Sequence, residues 1–350
     1  MVRIFLKNVL MAVTLCLMAT LFSCKSQIID LPRADVNPVI EKQIDDFVAA
    51  CDAARDSVDH ITVHSVMLVQ HGKVIAQRWL NGASEDQPHV MHSVSKTFTA
   101  IACGMAIEEG KLRLEDKVVD IFPEQLPDTL SENLKAMTVR DLLTMTCGQA
   151  REASAVREGD VDWVAGFLAA DVEYEPGTYF AYNSLGTYMV SAMIQKVTGE
   201  KMNDYLNSRL YEPLHIEKPV WEESPQGINC GGWGLYIKTE DMAKVGQLLL
   251  DKGQWNGRQL ISREWVEEMT EYQVSTKRPV DKRADWTQGY CYFMWCCTHN
   301  GVRADGSEGQ YIIVLPDLDA LIVLTSDSSL YQPYLDIVWE YLLPALEMEA

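Results

Sequence analysis

Positive charge is what this sequence is shortest of. Thirty lysines and arginines stand against fifty aspartates and glutamates, a formal net charge of −20. So acidic a chain has no electrostatic footprint for a phosphate backbone, and nucleic acid is not an expected partner. Long apolar runs are missing too. The most apolar stretch, Val9 to Phe22, has 14 residues, short of the roughly 20 that a membrane-spanning helix needs. No two cysteines have the C-x-x-C spacing that would hold a metal. There is no internal repeat and no low-complexity tract. What is there is ordinary globular composition, 47% hydrophobic and 23% charged over 350 residues, which excludes disorder and collagen-like repeats and is long enough for roughly two domains.

The first residues read as an address. Arg3 and Lys7 precede the apolar run, which ends in Leu21-Phe22-Ser23-Cys24. A small residue before a cysteine resembles the lipobox of bacterial lipoproteins, although Phe22 is bulky for its place; the alternative is an ordinary secretory signal. The resemblance implies a signal peptide over 1–23, lipidation of Cys24, and a polar tether over 24–38 with two prolines. It also implies a location in the bacterial cell envelope, anchored by lipid to a membrane on its periplasmic side or outer surface. Cleavage would remove Arg3, Lys7 and Cys16, leaving a more acidic chain with seven unlipidated cysteines. Seven is odd, which excludes a complete disulfide framework. Cys51, Cys103, Cys147 and Cys230 lie in apolar or glycine-rich surroundings and read as small core residues. Cys291, Cys296 and Cys297 cluster without metal-binding spacing. His60 and His64 sit four apart in a run that alternates like a strand, which argues for one face of a sheet rather than a metal site.

Val39 to Val58 has helical spacing in Ile40, Ile44, Phe47 and Val48. Ile61–Val69 and Val74–Leu80 read as strands joined at His71-Gly72. From about Ser84 helical patterns dominate: Val94–Glu109, Thr138–Thr144, Asp162–Ala169, Gly186–Val197 and Met202–Leu210. Strand signals return in Gly289–Cys297, Gln310–Leu315 and Ala320–Thr325, and a closing helix, Tyr334–Leu343, should stop at Pro344. The ends are α/β and the middle is helical. The expected organisation is an α/β domain from 39–83 and 226–350 with a helical domain, 84–225, inserted in it.

Ser93-Val94-Ser95-Lys96 is the one S-x-x-K in the chain, though about one match arises by chance at average composition. It opens a helix whose Phe98, Ile101, Ala102, Met105 and Ala106 mark a buried stripe. Positions three apart share a helix face, so Lys96 can reach the Ser93 hydroxyl. A lysine buried there has its charged form disfavoured, and a neutral amine can take the serine proton. The bland alternative is a helix-capping serine with a solvated lysine.

The run VMHSVSKTFTAIACGMAIEEGKLRLEDKV, together with VRDLLTMTCG, Glu175-Pro176-Gly177, GGWGLY and GQYIIVLPDLDALIVLTS, resembles the serine β-lactamase and penicillin-binding-protein superfamily. More narrowly it is similar to the class C-like serine hydrolases, a group of esterases, D-alanyl-D-alanine peptidases and 6-aminohexanoate-oligomer hydrolases. The resemblance spans about residues 62 to 328. It implies an α/β, β-lactamase-like fold: an antiparallel sheet flanked by helices, with an inserted all-helical domain. It also implies a cofactor-free, metal-free serine hydrolase, expected as a monomer, with Ser93 as nucleophile and Lys96 as base.

The family's second element is Y-x-N. Tyr205-Leu206-Asn207 fits it literally but lies in a helix, where Tyr205 reads as packing. Tyr182 holds the family's position after Pro-Gly, with Ser184 in place of Asn. The implied role of Tyr182 is a proton relay, with Lys96 favouring its phenolate. The third element is K-T-G or H-x-G. His299-Asn300-Gly301 matches literally but reads as a turn, and the position before QYIIV holds Ser307-Glu308-Gly309. The N–H groups of Ser93 and Gln310 would then form the oxyanion hole. Ser184, Ser307, Gly309 and Trp233 are the expected substrate-binding residues.

With no cation at the third element and Glu308 beside it, carboxylate-bearing substrates should lose about 1–3 kcal/mol of binding. Neutral or cationic esters and short amides are therefore expected, as small molecules or short peptide-like chains. β-Lactamase or D-alanyl-D-alanine carboxypeptidase activity is the enzymatic alternative. A non-catalytic binder of cell-wall fragments or of a protein partner is the alternative of another class. Residues 149–175 read either as a wall or lid over the cleft or as a plain surface loop.

Overall fold

The computed structural model describes residues 29–54, 58–153, 162–277 and 283–348. The signal segment and Cys24 lie outside the described residues, as does the middle of the 149–175 segment.

Helix α1 (Pro38–Ala53) starts at Asn37, whose side chain accepts from the Val39 N–H. Pro38 sits in the first turn, where its missing donor costs nothing. Ile40, Ile44, Phe47 and Cys51 form its buried stripe. Strands β1 (Ile61–Gln70) and β2 (Lys73–Trp79) follow. They are joined by His71 and Gly72, both left-handed at φ 51° and 70°, the turn that matches strand twist. The helices that surround the site come next: α2 (Ser95–Glu108), α3 (Trp163–Ala169), α4 (Ser184–Thr198), α5 (Thr239–Leu250) and α6 (Arg263–Thr270). The chain then returns to the sheet in β3 (Trp295–Cys296), β4 (Val302–Gly306), β5 (Gln310–Leu315) and β6 (Ala320–Ser328), and closes with α7 (Gln332–Tyr341) and α8 (Leu343–Glu347).

The six strands run in the order β2-β1-β6-β5-β4-β3, and every pairing is antiparallel. The first and last of these strands in chain order lie side by side, β1 pairing with β6 from Ile61↔Ser328 to Gln70↔Ala320. Tyr311, Ile313, Ile322 and Leu324 face one core with α1, α7 and α8. Ile312, Val314, Leu321 and Val323 face the larger core with α2, α4 and α5. Both faces are covered, so β5 is buried at all six positions and reads as a continuous apolar run, not an alternating one. The expected fold class, an antiparallel sheet flanked by helices with a helical region between its strands, is the one observed.

Several elements differ from expectation. The strand expected over Gly289–Cys297 shrinks to Trp295–Cys296, because Cys291–Met294 form a tight turn: the Cys291 N–H donates to Met294 O at 2.8 Å, and Phe293 is left-handed at φ 55°. Strand β4 went unpredicted because Val302–Gly306 carries Arg303, Asp305 and Gly306 in place of an apolar run. Pro344 does not end the closing helix. α7 stops at Tyr341, and Pro344 sits in the first turn of α8, where proline is tolerated. The helix from Met202 stops at Leu206 and continues as a wider π turn, Asn207–Tyr211.

Candidate active site

The short strand His89–Val90, paired with Leu235–Ile237, delivers the chain to a turn at His92–Val94. His92 is left-handed at φ 44°, a conformation that costs a non-glycine residue about 1–3 kcal/mol and persists only where its surroundings enforce it. They do so here. Ser95 Oγ donates to His92 O at 2.6 Å, the Leu235 N–H donates to Ser95 Oγ at 3.3 Å, and the Met91 N–H donates to Leu235 O at 2.8 Å. The turn is pinned from inside, and Ser93 is left on the wall of a cavity. Ser93 does not cap α2; that place belongs to Val94, which makes no side-chain cap bond.

Lys96 lies in the first turn of α2 and is 1% exposed. Its Nζ donates to Ser93 Oγ at 2.9 Å and to Gly232 O at 2.7 Å. Glycine is required at 232: a Cβ there would stand 2.9 Å from Ser184 O and 3.4 Å from both Lys96 Nζ and Ser184 Cβ. Ser184 therefore borders the lysine, and its N–H donates to Glu152 Oε2 at 2.9 Å. The neighbouring Asn183 is a structural residue. It caps α4 through the Gly186 N–H and donates to Gln149 Oε1.

The Tyr182 ring centroid is 4.9 Å from Lys96 Nζ, and its hydroxyl hydrogen-bonds Ser93. The ring stacks on Trp295 at 5.8 Å and 17° and meets the Tyr290 ring edge-on at 6.3 Å. Burial pushes the phenol pKa well above its ordinary value. The Ser93 hydrogen bond pulls it down, and the Asp305 and Glu152 carboxylates push it further up. The expectation of phenolate character is thereby corrected, and Tyr182 is a protonated phenol at neutral pH.

The strand beside the Ser93 turn is β4. A Cβ on Gly306 would fall 2.4 Å from Met91 O, so glycine lets the strand close on the turn that carries Ser93. The residues at the position of a third motif are thus Ala304-Asp305-Gly306, with Asp305 and Ser307 on the cavity wall. Ser307 is where it was expected; Gly309 and Gln310 are not. Gly309 turns toward Ser326 and Tyr334 on the far side of the sheet. Gln310 is fully buried, its side chain bonded to both backbone groups of Ser326 and to Ser307 O. Trp233 also misses the cavity wall and packs on Trp163 at 5.9 Å. Glu308, left-handed at φ 65°, reaches His92 Nε2 at 3.3 Å.

The two literal motif matches stand apart from the site, as expected. Tyr205 packs under the Arg209 guanidinium at 3.9 Å. His299 and Asn300 form a left-handed turn between β3 and β4. His60 pairs with Asp327, whereas His64 stacks on His89. Among the described residues no group of three His, Cys, Asp or Glu could hold a metal.

The cavity measures about 460 Å³. Phe180, Tyr182, Trp286, Trp295 and Tyr331 give it aromatic walls, and Asp305 and Arg283 give it one charge of each sign. Asp305 Oδ2 accepts from Nε of the fully buried Arg303 at 2.7 Å. The Arg283 guanidinium lies 5.2 Å over the Trp286 ring. The third element holds no cation, as expected, but the cavity does: Arg283 supplies one from a segment that no motif marked. Asp305 was missed because the third element was sought next to the QYIIV run, one strand too late. The A-x-G spacing ahead of it was the available signal.

The Beta-lactamase family profile matches residues 48–347. The chain is similar to a 6-aminohexanoate-dimer hydrolase of Paenarthrobacter ureafaciens, with 23% identity over 84% of this chain and 80% of that one. It is also similar to penicillin-binding protein 4 of Amycolatopsis lactamdurans, with 23% identity over 73% of this chain and 76% of that one. A solved penicillin-binding protein homologue from Caulobacter crescentus superposes with a TM-score of 0.68 at 15% identity, covering 89% of this chain and 99% of that one.

Proposed function

Since the chain belongs to the Beta-lactamase family, we propose that it is a serine hydrolase that acts through an acyl-enzyme on Ser93, with an ester or a short amide as substrate. One observation carries this: Lys96 Nζ stands 2.9 Å from Ser93 Oγ, with the Tyr182 hydroxyl bonded to the same serine. Nucleophile, base and relay converge on one atom at the cavity wall.

Lys96 accepts the Ser93 proton as Oγ attacks the substrate carbonyl carbon. The Ser93 N–H and the Ser307 N–H support the oxyanion; Ser307 replaces Gln310 in that role because it lines the cavity just past the close approach at Gly306. The Tyr182 phenol hands its proton to the leaving oxygen or nitrogen and regains one from Lys96. Water then attacks the acyl carbon and releases Ser93.

Aromatic walls with one carboxylate and one guanidinium suit a short chain with an apolar middle and polar or charged ends. The likeness to a 6-aminohexanoate-dimer hydrolase supports linear amides among the substrates. Arg283 favours a second reading, a carboxylate-bearing β-lactam or D-alanyl-D-alanine end, which it could pair. The lipid on Cys24 and the envelope location belong to the same proposal. Among the described residues no helix is long and apolar enough to cross a membrane.

A fluorophosphonate probe tests the chemistry. Stoichiometric labelling that Ser93→Ala abolishes is expected; equal, negligible labelling of both proteins while muropeptides still bind would establish a receptor instead. A panel of p-nitrophenyl esters, linear amide dimers, a chromogenic cephalosporin and a D-Ala-D-Ala peptide then orders the substrates. Hydrolysis of the cephalosporin with esters and linear amides untouched would overturn the first reading.

A further inference from the structure

Seven cysteines are described, and they are not alike. Cys51, Cys103, Cys147 and Cys230 are buried one by one in the cores. The remaining three lie beside the cavity's aromatic wall. Cys297 is buried, with its Sγ 3.6 Å from Nη1 of Arg303. Cys291 and Cys296 face each other, Sγ to Sγ at 3.3 Å, across the tight turn that replaced the expected strand.

We propose that Cys291 and Cys296 form a dithiol site that closes to an intramolecular disulfide by exchange with a small external disulfide. The backbone already holds the two residues in place. The Cys291 N–H donates to Met294 O at 2.8 Å, the Cys296 N–H donates to Gly289 O at 3.0 Å, and Tyr290 and Trp295 bridge as an antiparallel pair. Closure shortens this 3.3 Å separation to a bond of about 2.05 Å.

The two thiols also differ in a way that sets the order of attack. Cys296 is only partly buried, whereas Cys291 is fully buried. The hydrogen bond from Cys291 holds the Cys296 thiol below its ordinary pKa and the Arg303 charge helps, while burial opposes. The same hydrogen bond, with burial, pushes Cys291 up. Cys296 therefore attacks first, as thiolate, on one sulfur of a disulfide R–S–S–R, forming Cys296–S–S–R and expelling RS⁻. Cys291 loses its proton and attacks the Cys296 sulfur, expelling the second RS⁻. Two protein thiols are oxidised, one external disulfide is reduced to two thiols, and the two protons go to the departing thiolates.

The linkage closes the segment that carries Tyr290 and Trp295, the two rings that hold Tyr182 on its outer side. Nothing in it requires the hydrolase reading to be correct. The full-length protein, reduced and then exchanged into oxidised glutathione, is quenched in acid, alkylated under denaturing conditions and cut with chymotrypsin, which separates Cys291 from Cys296. The expected result is a joined Cys291–Cys296 pair lighter by two hydrogens, with the other five described cysteines alkylated. Cys297→Ser retains the link, and Cys291→Ser traps glutathione on Cys296. Amide exchange across 289–296 slows in the oxidised protein. Full alkylation of Cys291 and Cys296 after oxidant overturns the proposal, as does a link that Cys297→Ser abolishes.

Discussion

Tyr182 and Tyr205 are both tyrosines whose phenols burial pushes well above their ordinary pKa. Only Tyr205 satisfies Y-x-N by spelling, and only Tyr182 stands with Ser93 and Lys96. Tyr182 shares a hydrogen bond with Ser93, lies 4.9 Å from Lys96 Nζ and feels the Asp305 and Glu152 carboxylates. Tyr205 lies beneath Arg209 near Glu109, in a helical layer remote from the cavity. Burial and spelling are thus common to sites and to packing. What separates the two is which other segment folds against the ring. The glycines of the third motif repeat the lesson: Gly301 completes a literal H-x-G at a turn, while Gly306 lets β4 close on Met91 O.

Removing the relay should sharpen that contrast most. Tyr182→Phe is expected to lower kcat/KM about 10²–10⁴-fold with the thermal midpoint nearly unchanged, read by steady-state kinetics beside calorimetry. An unchanged rate would transfer the proton work to some other group. Asp305→Asn acts on the surroundings of Tyr182 and leaves those of Tyr205 alone. It removes the carboxylate that pairs with the buried Arg303 guanidinium, which keeps its bonds to Asp285 O, Cys296 O and Cys297 Sγ; a loss of about 3–5 kcal/mol of stability is expected, to be measured by urea unfolding at neutral pH.

The same variant gives a pH test. With its pKa raised, the Tyr182 phenol keeps its proton as pH climbs past the ordinary tyrosine value of 10. The alkaline limb that it sets should therefore lie above pH 10 in the wild type and move to lower pH in Asp305→Asn, where one of the carboxylates raising it is gone. A limb that stays put would show that the phenol is not the group reported by the profile.

Gly306→Ala tests the close approach. Its Cβ would press on Met91 O and displace the nucleophile turn, and a misplacement of about 1 Å costs on the order of 10²-fold in rate. Fluorophosphonate labelling kinetics would read it. Tyr205→Phe should do least: kcat/KM within about twofold and stability within about 1 kcal/mol. A large loss of rate there would break the comparison from the other side.

Much of this was legible before any coordinates. Ser93 and Lys96 were readable because their spacing is local: three residues on one helix share a face in any fold that keeps the helix. α1, β5 and the β1–β2 turn were readable for the same reason. Asp305 and Arg283 were not. Asp305 sits in a strand whose polar residues hide its pairing, and Arg283 enters the cavity from a segment with no motif. Gln310 and Gly309 were misplaced because they follow the close approach at Gly306 by three residues or more, past a turn over Ser307–Gly309 that carries the chain off the cavity wall.

The sequence by itself determined that Ser93 and Lys96 share a helix face, because helix period is a property of neighbours along the chain; the fold class and the place of Tyr182 were legible through the resemblance to a family. Only the tertiary structure decided which glycine abuts the Ser93 turn, which charges enter the cavity, that burial raises the Tyr182 phenol's pKa, and that two thiols meet beside the cavity wall. Those depend on the approach of segments far apart in the chain. Close approach and burial arise when surfaces pack, and no local spacing encodes them.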